Sequence, residues 1–295
     1  MKKKYVSVIG SLNYDFIMKV NRAPKIGETI TSSNTRFSCG GKGANQAYQM
    51  GNLGLNVYMI GCVGNDYYGE ESIASLKQAN VQTDAIVIKN TNTGLGFVTA
   101  LDNGEVTAII DQGANALLDK NIIDENYNLI FNSEWIVLQF EIPMETIEYI
   151  IREANKNGVG VILNPAPTLE ISNELLKMVD YLIVNEVEAS YYLGYEVDES
   201  NLSEIIFNLR NKVKRGLVLT LGSKGSYYID DEIYYIPIIK ANAVDTTGAG
   251  DSYIGAFVYG LCQGFTPVEA CRLGAYSSAK TVEDFGRKSM PKNAK

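Results

Sequence analysis

Short apolar runs recur along the chain, each broken by glycine or by a polar cluster. Residues 5–9, 56–63, 135–140, 159–163, 181–184 and 217–221 are rich in Val, Ile and Leu. Continuous runs of this length predict strands buried on both faces, as in a parallel sheet. Helical stretches lie between them. Asp66 begins one that runs through Ala79, and Pro143 opens another that runs to about residue 157, a favoured place for proline. Asn185-Glu186-Val187-Glu188 starts a third, and the last quarter predicts two more, about 249–262 and 267–282. Strands alternating with helices predict an α/β fold with a mainly parallel sheet covered on both faces.

Two segments follow a different rhythm. Residues 16–37 alternate loosely and carry Pro24 and Gly27. Residues 91–111 hold Asn103-Gly104, a hairpin signal, between two β-rich runs. The expectation is that they pair as a small β-sheet outside the main one, a lid or a dimer surface. The alternative is that they form ordinary edge strands of the main sheet. No linker or internal repeat interrupts the chain, so residues 1–295 read as one domain, with the lid built from about 13–37 and 91–111.

Polar residues collect where the apolar runs end. Asn13 and Asp15 follow the first, and Glu141, Asn164, Asn185, Glu188 and Thr220 lie at or just past the ends of later ones. Ligands of open α/β sheets bind beyond the carboxyl ends of the strands. Asp15 taken alone reads equally as a turn residue. Two glycine-rich stretches also enter helices here, Gly40-Gly41-Lys42-Gly43-Ala44-Asn45 and Asp245-Thr246-Thr247-Gly248-Ala249-Gly250-Asp251. In the second, small residues let the backbone approach a ligand, and free N–H groups and the helix dipole converge on an anion. Asp251 beside that anion suits a base that takes a proton from a hydroxyl attacking a phosphate. Taken alone it also reads as a plain helix cap.

Composition narrows the chemistry. The chain has no histidine, which removes Ser-His-Asp and Cys-His catalysis and His-ligated metal sites. A formal net charge of -8 argues against a nucleic-acid partner. Neither the Gly-Lys-Ser/Thr ending of a P-loop nor a Gly-x-Gly-x-x-Gly dinucleotide fingerprint occurs. Cys39, Cys62, Cys262 and Cys271 show no paired spacing, so reduced thiols and a cytoplasmic location are expected. Met1-Lys2-Lys3-Lys4 looks like the start of a signal peptide, but Asn13 and Asp15 break the apolar run behind it and no cleavage site follows. No stretch is long enough to span a membrane.

In order and spacing, the two glycine-rich stretches resemble the two signatures of the ribokinase-like (PfkB-type) sugar kinases. Gly54 and Gly64 extend the first, Gly255-Ala256 extends the second, and Asn185-x-x-Glu188 resembles a motif associated with phosphate and magnesium. The resemblance runs from the first strand to about Pro291. Gly10-Ser11-Leu12-Asn13-Tyr14-Asp15 and Asn164-Pro165-Ala166-Pro167 bring it nearest the ribose-phosphorylating members. It implies a three-layer α/β/α fold with a β-sheet lid, and transfer of the ATP γ-phosphoryl group to the primary hydroxyl of a pentose, D-ribose giving D-ribose 5-phosphate. Deoxyribose, fructose and nucleosides are the alternative substrates. The alternative of another class is a non-catalytic sugar or nucleoside sensor, against which the retained base and glycines argue.

The resemblance also implies roles. Asp251 is the base, and the backbone of Gly248, Ala249, Gly250 and Asp251 is the anion hole. Asn13, Asp15, Gly41, Lys42, Asn45 and Glu141 hold sugar hydroxyls, and Gly96 and Ala108 close the pocket from the lid. Asn185, Glu188, Thr220, Gly222, Gly225 and Ala275 lie along ATP, with magnesium between the phosphates and Glu188 through water. Potassium sits beside the anion hole on oxygens of Asp245, Thr247, Val282, Phe285, Gly286 and Ser289. A free β-face rich in Val, Ile, Phe and Thr needs covering, so a homodimer through the lid is expected. The sequence departs from the family pattern in three places. Lys280 and Glu283-Asp284 put charge near the adenine pocket, Gly286-Arg287-Lys288-Ser289 is one residue short, and the chain stops soon after Pro291.

Overall fold

A computed structural model describes residues 5–101, 106–197, 199–284 and 290–292. The apolar runs form one large sheet from β1 (Val6–Ile9), β4 (Val57–Gly64), β5 (Val81–Gln82), β6 (Ile86–Lys89), β9 (Trp135–Gln139), β10 (Gly160–Asn164), β11 (Tyr181–Asn185), β12 (Gly216–Thr220), β13 (Ser226–Ile229) and β14 (Ile233–Ile236). Their order is β14-β13-β12-β11-β10-β9-β1-β4-β5, with β6 also pairing β4. From β12 to β5 the pairs are parallel, and β13 and β14 add an antiparallel hairpin. That hairpin was not expected from the sequence, and neither were the short β5 and β6.

The helices are α1 (Lys42–Asn52), α2 (Tyr67–Gln78), α3 (Lys120–Glu125), α4 (Tyr127–Phe131), α5 (Met144–Asn157), α6 (Asn173–Leu176), α7 (Glu186–Leu193), α8 (Leu202–Asn208), α9 (Ala249–Cys262) and α10 (Pro267–Thr281). Successive strand residues feed opposite cores, as the two-residue period of a strand requires. Ile136 and Leu138 of β9 join the core shared with α5, while Val137 joins the core shared with α1 and α9. On α5, Ile147, Ile150, Ile151 and Ala154 make the buried stripe at the spacing of one helical face. Burying one such Ile or Val contributes about 1.5–3 kcal/mol. Pro143 stands at the N-cap of α5, one position ahead of the expected first turn.

The two odd segments form the separate small sheet, so the edge-strand alternative falls. It is built from β2 (Asn13–Val20), β3 (Asn34–Gly40), β7 (Gly94–Leu101) and β8 (Val106–Asp111), in the order β3-β2-β7-β8. β7 and β8 pair antiparallel, Leu95 opposite Asp111 and Ala100 opposite Val106. The expected turn at Asn103-Gly104 lies outside the described residues. Because β2 follows β1 directly and β3 runs straight into α1, this sheet is fastened to the carboxyl edge of the large one.

Candidate active site

Both glycine-rich helix entrances open on that edge, and their donors are used differently. At α1, Gly41 has φ 87° and no room for a side chain: a Cβ there would lie 2.7 Å from the Asn13 nitrogen. The first N–H groups of the helix are already taken. Lys42 N–H donates to Glu141 Oε2 at 3.0 Å, Gly43 N–H to Ser11 Oγ at 3.4 Å, and Ala44 N–H to the Ser11 carbonyl at 2.9 Å. The Ser11 hydroxyl closes the set by donating to the same Glu141 oxygen. At α9, Gly248 takes φ 77° as N-cap. Among the described residues, the N–H groups of Gly248, Gly250 and Asp251 have no partner, while Ala249 N–H donates to the Thr246 carbonyl at 3.2 Å. The open donors are therefore at α9 rather than α1, and Ala249 brings shape there rather than a free N–H.

Asp251 is 9% exposed. Asn45 Nδ2 donates to its Oδ2 and Gln46 Nε2 to its Oδ1, each at 3.0 Å. Burial pushes its pKa up; Lys42, Gln46 and Asn45 pull it down without cancelling that effect, and Glu141 pushes it further up. Glu188 has the same character. It forms a capping box with Asn185: its Oε2 accepts from Asn185 N–H at 3.0 Å, and its own N–H donates to Asn185 Oδ1 at 2.8 Å. Asn185 Nδ2 reaches Glu188 Oε1 at 3.1 Å, and Asn164 Nδ2 reaches Oε2 at 3.4 Å. Burial raises the Glu188 pKa, with the Asn185 N–H and Lys42 opposing and Asp251 adding to the rise. Lys42 is the counterweight to both. Burial works against its charge, but Asp251, Glu141 and Glu188 outweigh it and hold its pKa above the ordinary value.

The small sheet brings up its own polar group. Asp15 pairs with Gly96 across β2 and β7. Its carboxylate fills the space where a Cβ of Gly96 or of Gly40 would stand, so two glycines on the flanking strands make the seat for one carboxylate. Ile110 lies opposite Gly96 on β8, and the expected Ala108 lies two residues along the same strand, opposite Val98. Asn13 is buried, and its Oδ1 accepts from Asn115 Nδ2 at 2.7 Å. Asn115 also accepts from Leu12 N–H at 2.9 Å and donates to the Leu12 carbonyl at 3.2 Å.

Thr220, Gly222 and Gly225 follow one another where β12 ends, with Gly222 and Gly225 at φ 53° and 93°. Thr220 is in register with Asn185. Ala275, half-buried on α10, packs against the core shared with α9, and α10 in turn packs on β13 and β14. In the expected cation loop, Asp245 Oδ1 accepts from Thr247 N–H at 2.9 Å. The Val282 carbonyl accepts from Val244 N–H at 2.7 Å and Asp245 N–H at 3.3 Å, tying the end of α10 to this loop. Phe285, Gly286 and Ser289 lie outside the described residues.

Three residues in this array went unnoticed in the sequence as candidate site residues: Gln46, Asn115 and Ile110. Only Gln46 carried a local signal, since it directly follows the Gly-Lys-Gly-Ala-Asn stretch.

Comparison with known proteins decides the family. The model of the pfkB family carbohydrate kinases matches residues 3–293. The chain belongs to that family. It is 34% identical to a ribokinase of Schizosaccharomyces pombe, over 96% of this chain and 93% of the relative. A deoxyribokinase of Salmonella typhi is 32% identical, over 96% and 94%. Among solved structures, Arabidopsis thaliana ribokinase complexed with ribose and ATP superposes with a TM-score of 0.88 at 30% identity, covering 98% of this chain and 96% of that one. The three-layer fold with its second small sheet is thus the fold of this family of kinases, and the chain is a kinase.

Proposed function

We propose that this chain transfers the γ-phosphoryl group of ATP to the primary hydroxyl of D-ribose, giving D-ribose 5-phosphate. One observation carries the reading: the N–H groups of Gly248, Gly250 and Asp251, unpartnered among the described residues, lie beside a buried, doubly hydrogen-bonded Asp251. Asp251 takes the proton of the attacking hydroxyl. The N–H groups of Gly248, Gly250 and Asp251 stabilise the charge that develops on the phosphoryl oxygens, where one donor is worth about 10²–10³ in rate. Asn13, Asp15, Gly41, Lys42, Asn45 and Glu141 hold the sugar, Glu141 partly by fixing the entrance of α1. Gly96, Ala108 and the rest of the small sheet form its lid, so that residues 1–295 make one kinase domain. Asn185, Glu188, Thr220, Gly222, Gly225 and Ala275 line the ATP side. Similarity to the ribose- and ATP-bound Arabidopsis enzyme supports both substrates.

The donor set of Glu188 fits magnesium held through water. Both its oxygens are engaged by Asn185 and Asn164, which suits an outer contact to a hydrated ion better than a bare one. That ion supplies charge neutralisation between the phosphates. Among the described residues no cluster of acidic, Cys or His side chains could hold a metal unaided, consistent with a metal that arrives on the nucleotide. Asp245, Thr247 and backbone carbonyls suit potassium. Among the described residues no helix is long and apolar enough to cross a membrane. With free cysteines, the reading is a cytoplasmic enzyme. Phe37, Phe97 and Ile109 remain exposed, which supports a homodimer through the lid.

Deoxyribose is the second reading, favoured by the similarity to a deoxyribokinase. An ATP-coupled assay across ribose, deoxyribose, fructose and nucleosides tests both. The highest kcat/KM is expected with ribose. A preference for a nucleoside, or no turnover with any pentose, overturns the proposal.

A further inference from the structure

Gln139 and Gln46 form a buried pair of amides behind Asp251. Both are fully buried. Gln139 Nε2 donates to Gln46 Oε1 at 2.7 Å, and Gln46 Nε2 donates to Asp251 Oδ1 at 3.0 Å and to Asn164 Oδ1 at 3.4 Å. An amide has one accepting and one donating end. With Gln139 donating to its oxygen, Gln46 has only its NH₂ end to turn toward Asp251. Were Gln139 flipped, two carbonyl oxygens would face each other. The arrangement carries a penalty: Gln139 Oε1 is buried without a partner. It is pressed against Gly10, where any Cβ would collide with it. Leaving a buried acceptor unpaired is unfavourable, and an apolar side chain at 139 would move that penalty to the buried Gln46 Oε1, which would lose its donor.

We infer that Gln139 and Gln46 are positioning residues for phosphoryl transfer: Gln139 fixes the amide of Gln46, and Gln46 fixes Asp251 in orientation and in basicity. The inference rests on Asp251 being the base. Donation to a carboxylate favours its ionised form, so the pair offsets part of the burial that opposes ionisation. Gln46 reaches Asn164 as well, and Asn164 reaches Glu188. The same amides thereby hold the base in register with the carboxylate on the ATP side.

The test uses Gln46→Met, Gln139→Leu and the double variant, each checked for folding by thermal melting. Single-turnover phosphorylation of ribose is followed against pH, with ribose affinity measured separately by calorimetry. Losing a charge-assisted bond is expected to move the acidic limb of the profile up by about one pH unit, lowering the rate about tenfold at a pH on that limb and leaving the plateau little changed. Ribose affinity should change little. Because Gln139 acts through Gln46, the double variant should match Gln46→Met alone rather than add to it. Carbon NMR titration of the Asp251 carboxyl in the unliganded protein should show the same upward movement. An unmoved limb and titration in folded variants, or additive effects, overturn the inference, and so would a profile scaled down at every pH. Retained turnover in Asp251→Asn sinks the base assignment instead, which separates the two failures. If Gln139→Leu does not fold, Gln139→Met replaces it under the same criteria.

Discussion

The carboxylate of Asp15 occupies the space that a side chain at Gly96 would fill. The two residues are register partners on adjacent strands of the small sheet, so the position of the acid depends on the absence of a Cβ opposite it. Gly96→Ala should push the carboxylate out of its seat without disturbing the large sheet. Charge-assisted hydrogen bonds contribute about 1.5–3 kcal/mol each, so ribose affinity should fall about tenfold to a hundredfold. Asp15→Ala should match it, and ATP affinity should hold in both. Unchanged ribose binding by calorimetry in either variant would leave Asp15 as a strand residue with no part in holding the sugar.

Asp251→Asn should keep the fold and still bind sugar, and should lose turnover. General-base removal is worth about 10²–10⁴ in rate. The measurement is kcat at saturating ribose and ATP. A rate within about threefold of the wild type contradicts the assignment and makes Asp251 a helix residue only.

The large sheet was legible because strands buried on both faces leave short runs of Val, Ile and Leu, and α9 and α10 because Gly248 and Thr266-Pro267 mark their starts. The β13–β14 hairpin was not. Its strands, Ser-Tyr-Tyr-Ile and Ile-Tyr-Tyr-Ile, are too short and too uniform in tyrosine to show alternation. At the site, backbone features could be read from glycine spacing, since a positive φ at Gly41 or Gly248 constrains the residue type locally. The amide network could not. Gln46 meets Gln139 and Asp251 across 93 and 205 residues of sequence, and a buried glutamine has the same local pattern whether it packs or positions. Likewise the engaged N–H of Ala249 depends on a turn back to Thr246 that no residue type announces.

The raised pKa of Asp251 has a consequence for stability. Burial lifts it above the unfolded value, so the folded state binds the proton more tightly. The protonated form then contributes stability that is complete below the unfolded pKa and lost as pH rises through the folded one. At neutral pH the ionised group opposes folding. Asp251→Asn removes that charge, and Asn45, whose Oδ1 is buried without a partner, can turn to accept from the new amide. The variant should therefore be more stable than the wild type at neutral pH, by about 0.5–2 kcal/mol, the usual size of a single stabilising substitution. The gain should vanish in acid. Denaturant unfolding at neutral and acidic pH checks this, and an equal or lower stability at neutral pH contradicts it.

The exposed face of the small sheet should be covered by a second copy. Phe37 is 58% exposed and Ile109 73%, on strands β3 and β8 that form the two edges of the sheet. Large apolar groups on open edges favour association. Light scattering at micromolar concentration should give twice the chain mass, and Ile109→Lys should reduce it to one. A monomeric mass for the wild type rules the dimer out.

Potassium should raise turnover. The loop of Asp245 and Thr247 lies directly before the open N–H groups, and the Val282 carbonyl pins it to the end of α10 through Val244 and Asp245. A cation beneath this loop would hold the N–H groups toward the phosphoryl group and add positive potential there. The oxygens on offer are one carboxylate and otherwise backbone carbonyls or hydroxyls, which suit a large, weakly hydrated ion. Among the described residues the proposed ligands are already engaged in part: the Val282 carbonyl accepts two N–H groups, and Asp245 Oδ1 is shared with Thr247 N–H. Among the described residues, the Thr247 oxygens and the Asp245 carboxylate are the proposed ligands nearest the open N–H groups in sequence. The measurement is kcat at fixed ionic strength with potassium replaced by a bulky organic cation. Turnover should fall in the organic salt, and Asp245→Asn should blunt the difference between the two. Equal rates in both salts would mean that the bond between Asp245 and Thr247, with the Val282 clasp, organises the loop without a metal.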